Sequence, residues 1–99
     1  MKRSEAMGIL RASSGSLAAL GVVRVGLFGS TVRGEASQQS DIDILLQFDP
    51  ARKNLDAFMQ AADILEAAFP ARIDILTTES LSPRMARTIL SEAEFCETG

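Results

Sequence analysis

The sequence predicts an α+β fold with its elements in the order αββαβα. Three observations lead there. Two short runs, "VVRVGLF" (Val22 to Phe28) and "DIDILLQF" (Asp41 to Phe48), are apolar and bounded by turn residues, as strands are. Residues 54–69 repeat apolar side chains at helical spacing, and "RIDILTT" (Arg72 to Thr78) restates the second run's pattern after Pro70.

In chain order, Met7, Leu10, Leu17 and Leu20 recur at helical spacing and predict an amphipathic helix from Ser4 to Leu20. Ser4 is its expected N-cap and Gly21 its stop, while "SSGS" (Ser13 to Ser16) is a candidate break, because Gly and Ser are poor interior helix formers. The first strand follows between Gly21 and Gly29, and the second is closed by the turn pair Asp49-Pro50. The helix from Asn54 to Phe69 is expected to bury Leu55, Phe58, Met59, Ala62, Leu65 and Phe69, and to turn Asp56, Gln60, Asp63 and Glu66 outward. Arg72 to Thr78 is the third strand. Ser82 and Pro83 then supply an N-cap and first helical position for a last helix carrying Met85, Ile89, Leu90 and Ala93. Met85 and Phe95 are assigned to the core in preference to an interface.

A length of 99 residues fits one domain, 1–99, and is too short for two independent cores. Hydrophobic residues make up 46% of the chain with five Phe and no Trp or Tyr, so the expected core is aliphatic. The net charge of −3 is the wrong sign for a protein that tracks a polynucleotide backbone, and the Arg52–Lys53 pair fits a solvated loop. Cys96 is the sole cysteine, which excludes an internal disulfide and fits a reducing cytoplasm. The first residues hold no signal-peptide apolar segment, and no run approaches the roughly 18 apolar residues of a membrane span. Export and membrane insertion are therefore not expected.

Chemistry concentrates in the second and third strands. Side chains alternate along a strand, so Ile42, Ile44, Leu46 and Phe48 share one face while Asp41, Asp43, Leu45 and Gln47 share the other. Two like charges entering a strand carry a desolvation cost unless paired, hydrogen-bonded or bound to a cation. In the third strand Ile73, Ile75 and Thr77 alternate with Asp74 and Leu76. If the two strands are neighbours, Asp74 joins Asp41 and Asp43 at one end of one face, where three carboxylates call for a divalent ion. An EF-hand loop is excluded, because Leu45 occupies a ligand position and no loop glycine follows. Upstream, Gly29 permits close backbone approach to an anion, and Ser30 opens a short helix through Arg33 whose amides suit phosphate oxygens.

Gly29-Ser30, ten residues, then Asp41-x-Asp43, with a later strand Asp, resembles the DNA polymerase β-like nucleotidyltransferases in their minimal form, over Val22 to Phe95. The resemblance implies a small mixed sheet with helices packed on one face. It further implies that Asp41, Asp43 and Asp74 are catalytic and bind two Mg²⁺ ions, that Gly29 and Ser30 hold the triphosphate of ATP, and that Arg33 and Gly34 match the extended motif. Arg33 is open to two roles, phosphate contact or bracing of the loop.

Minimal domains of this kind are typically antitoxins that pair with a HEPN-domain ribonuclease toxin. The resemblance thus implies Mg²⁺-dependent transfer of AMP from ATP to a toxin hydroxyl, expected to be a tyrosine, within a hetero-oligomer. Tyrosine self-modification is excluded, since the chain has no Tyr. The alternative is a non-catalytic antitoxin that neutralises its toxin by occlusion. Modification of a small molecule ranks last, for want of an acceptor domain.

Overall fold

The computed structural model describes residues 1–33 and 41–98. Its elements are α1 (Arg3–Ala19), β1 (Val22–Leu27), α2 (Gly29–Arg33), β2 (Ile42–Phe48), α3 (Leu55–Ala68), β3 (Ile73–Thr77), a 3₁₀ turn (Thr78–Ser80), α4 (Pro83–Glu92) and β4 (Glu94–Glu97). The strands form one mixed sheet in the order β3-β2-β1-β4. β1 runs antiparallel to both β2 and β4, whereas β2 and β3 are parallel and are joined by α3 as the crossover that parallel neighbours require.

α1 is continuous through "SSGS" and begins at Arg3, with Lys2 rather than Ser4 at the N-cap. The serines are absorbed locally. Ser13 Oγ donates to the Ile9 carbonyl (3.0 Å) and Ser14 Oγ to that of Arg11 (2.8 Å), so their polarity is satisfied within the helix. At the start, the Glu5 carboxylate accepts from the Lys2 amide at 3.3 Å, which a Ser4 cap would not allow. Gly21, at φ 93°, ends the helix as expected.

α1 and α3 cover one face of the sheet. Ala6, Met7, Leu10 and Leu17 join Val25, Leu27, Ile42, Ile44, Leu46 and Phe48 in one buried cluster, so the predicted core face of β2 is the observed one.

On α3 the expected face holds at Leu65 and Phe69, which are buried, and shifts at the start of the helix. Ala57, Ala61 and Leu65 are buried, while Leu55 is 73% and Met59 55% exposed. The physical reason is that two alanines one turn apart let the helix seat closely, which rotates the bulkier Leu55 and Met59 off the core. Asn54 caps the helix, its Oδ1 accepting from Ala57 N at 2.8 Å.

The last helix also departs from expectation. α4 starts at Ser82-Pro83 as predicted, with Ser82 Oγ accepting from Met85 N at 3.3 Å, yet it buries no residue, and Met85 is 47% exposed. Phe95 belongs to β4, an element the αββαβα order lacks, so neither residue is a core residue of a helix. "EFCE" has no β-branched residue; its strand conformation comes from pairing with the open edge of β1, where Gly26 faces Phe95 and Leu27 faces Glu94. Thr98 closes the edge through a hydroxyl hydrogen bond to the Val22 carbonyl.

Candidate active site

The sheet face opposite the buried cluster carries the predicted acids. Ile42 N donates to the Arg72 carbonyl (2.9 Å), and the parallel register that follows places Asp43 directly across from Asp74. Two carboxylates as cross-strand partners repel, so the pairing is retained against a local cost. Asp41 precedes β2 by one residue, and its Oδ1 lies 3.4 Å from Arg72 Nε.

The Gly-Ser turn sits directly above. Phe28 N donates to the Asp43 carbonyl at 3.1 Å, which holds the end of β1 against the start of β2. Gly29 follows at φ 67°, and a Cβ there would overlap Asp43 Oδ2 and stand 3.2 Å from its Cγ. Only glycine combines that backbone conformation with that closeness. The Ser30 amide then donates to the Asp43 carboxylate. The amide expected to meet phosphate therefore already has an acidic partner in the fold.

Electrostatically Asp43 is the focus. Burial pushes its carboxyl above the ordinary carboxylate range, and the negative charges of Asp74 and then Asp41 push it further; the Ser30 amide and the Arg33 guanidinium pull the other way without prevailing. Both other predicted acids thus act on Asp43. Among the described residues no group of three or more acidic, His or Cys side chains forms a ready-made metal cage. The site is a close pair, Asp43 and Asp74, with Asp41 turned to Arg72 beside it.

The donor set is hard carboxylate oxygen, the chemistry Mg²⁺ takes, and the mutual repulsion that raises Asp43 is the cost a cation would remove. On that ground the residues fit a divalent ion.

Arg33 ends α2 and its Nη1 pairs with Glu92 Oε2 at 3.1 Å, tying α2 to α4. Gly34 lies outside the described residues.

Sequence reasoning overlooked several neighbours. Leu45, fully buried between Gly26 and Leu76, gives the acid-bearing face a small apolar floor. Beyond it, Arg24 Nε donates to Gln47 Oε1 (2.5 Å), and the guanidinium stacks 4.0 Å from the Phe95 ring centroid. A lone Arg inside "VVRVGLF" was the available signal for that stack. For Arg72 the signal was its place two residues before Asp74.

Comparison with known proteins bears on this arrangement. Residues 10–96 match the family described as nucleotidyltransferase domain. The chain is 40% identical over 75 residues to "Protein adenylyltransferase MntA" of Thermococcus cleftensis, covering 76% of this chain and 75% of that protein. A solved structure assigned as a minimal nucleotidyltransferase superposes with a TM-score of 0.82 at 34% identity, covering 95% of each chain. A toxin-antitoxin structure with AMP-PNP superposes at 0.65 over 96% of this chain and 72% of that one; at 21% identity it speaks for the fold alone. Among the described residues no helix is long and apolar enough to cross a membrane.

Proposed function

The chain belongs to the nucleotidyltransferase domain family, and from that premise we propose that it transfers AMP from ATP to a hydroxyl of a partner toxin, acting as the antitoxin. The observation that carries this reading is the pairing of Asp43 with Asp74 beneath the Gly29-Ser30 turn, because it couples a cation-seeking acid pair to an anion-seeking loop. A relative named as a protein adenylyltransferase supports the choice of AMP and of a protein acceptor. The partner class rests on the resemblance to minimal nucleotidyltransferase antitoxins, and we take the partner to be a HEPN-type ribonuclease in the cytoplasm.

In this reading Asp41 and Asp43 would hold two Mg²⁺ ions and Asp74 would complete the site on the nucleophile side. Bound Mg²⁺ supplies charge neutralisation of the triphosphate and a lowered pKa of the attacking hydroxyl. The chain's own groups do the rest. Asp74, exposed at the mouth, takes up the proton of the acceptor hydroxyl, expected to be a toxin tyrosine. With its amide held by Asp43, Ser30 offers its hydroxyl to the phosphates beside the Gly29 backbone, and Arg33 stands at the end of the same helix, where its charge already reaches Asp43. In-line attack on the α-phosphorus forms the new P–O bond as pyrophosphate leaves.

The test is incubation with the protein encoded beside it, ATP and Mg²⁺, followed by intact-mass and peptide analysis. A gain of AMP on the partner, lost with Asp43→Ala, is expected. A stable complex that neutralises the partner with no mass gain, and equally well with Asp43→Ala, would establish occlusion instead.

A further inference from the structure

Asp41 and Arg72 each stand two residues before the facing pair Asp43 and Asp74, and the Ile42 amide donates to the Arg72 carbonyl at 2.9 Å, which brings the two chain segments together just ahead of the ladder. Arg72 immediately precedes β3 and is two residues from Asp74, so alternation puts both side chains on the acid-bearing side. The face therefore presents an opposite-charge pair beside a like-charge pair. Arg72 reaches Asp41 through Nε at 3.4 Å, and with 87% of its side chain exposed it is held by little else. Exposed pairs of this geometry are weak and easily exchanged.

Resting on the reading of this site as a cation centre, we infer that Arg72 is a positioning residue that competes with the divalent cation for Asp41. Its guanidinium occupies Asp41 Oδ1, an oxygen the cation needs, and it withdraws as the cation binds. Arg72 thereby sets how readily the site fills, and it sharpens the requirement for a cation that arrives with a triphosphate, whose extra negative charge tips the exchange. Arg33 reaches Glu92 and its charge acts on Asp43, whereas Arg72 is seated on Asp41 itself.

The experiment is Mn²⁺ titration of the full chain by calorimetry, without nucleotide, for wild type, Arg72→Gln and Arg72→Lys. Arg72→Gln is expected to bind Mn²⁺ roughly three- to tenfold more tightly, with Arg72→Lys between the two, and the gain is expected to shrink at about 0.5 M salt. In parallel, the Arg72 Nε–H resonance is expected to move on addition of Mg²⁺ to wild type. Arg72→Gln binding Mn²⁺ no better than wild type, or an unmoved resonance, overturns the competition and leaves the cation site standing. Absence of Mn²⁺ binding by wild type itself removes the cation centre and this inference with it.

Discussion

Asp43 shows how one residue can be costly to the fold and necessary to the site. Its carboxyl is raised above the ordinary value of 3.8, first by burial and then by Asp74 and Asp41. A raised carboxyl favours its protonated form in the folded chain. Its contribution to stability is therefore fully present below the unfolded value and is lost as pH rises through the folded one. Asp43→Asn removes that loss. Thermal unfolding without divalent cations should show the mutant melting above wild type by roughly 1–4 °C at about pH 7, with the gap closing toward about pH 4. A mutant that melts below wild type across that range would show that the Ser30 hydrogen bond outweighs the repulsion. Transfer activity is expected to fall by about a thousandfold or more in the same mutant, as for loss of a metal-holding carboxylate. Gly29 belongs to the same scale, since its positive φ and its contact with Asp43 make the turn and the acid one unit.

Among the elements, α3 separates what periodicity reveals from what packing decides. A 3.6-residue repeat identified the helix and its polar face, but the stripe it favoured, which included Leu55 and Met59, is not the one that is buried. The close seating of Ala57 and Ala61 settled it. Ala61→Leu should therefore overpack the contact and destabilise by about 1–3 kcal/mol, whereas Leu55→Ser should stay within about 0.5 kcal/mol of wild type, as read by chemical denaturation. The reverse ranking would return the helix to the face expected from its larger side chains. β4 makes the complementary point: "EFCE" has Phe95 as its one strong strand former and no β-branched residue, and Arg24 over Phe95 together with the β1 edge holds it in place.

For the whole molecule, the arrangement of the sheet matters more than any single strand. Parallel pairing of β2 with β3, permitted by the α3 crossover, carries Asp74 across some thirty residues of sequence to lie opposite Asp43. The same fold leaves repulsion that ligands can relieve, so binding and stability are linked. Mg²⁺ with a non-hydrolysable ATP analogue at about 100 times its dissociation constant should add about 2.7 kcal/mol, a rise in melting temperature of roughly 10 °C. That rise should be absent with Asp43→Ala; its survival there would place the nucleotide elsewhere.

The local pattern by itself determined the helices α1, α3 and α4, the strands β1 to β3, the N-cap at Ser82, the core face of β2 and the acids as candidates for the site. Those features depend on nearest neighbours and on side-chain alternation, which a single sequence carries. Only the tertiary structure decided the stripe that α3 buries, the existence of β4, the exposure of α4, and the partners of the acids: Ser30 over Asp43, Arg72 beside Asp41. Each of these is a choice among residues far apart in the chain, made by close packing and by the need of buried polar groups for a partner, and neither acts until the chain has folded.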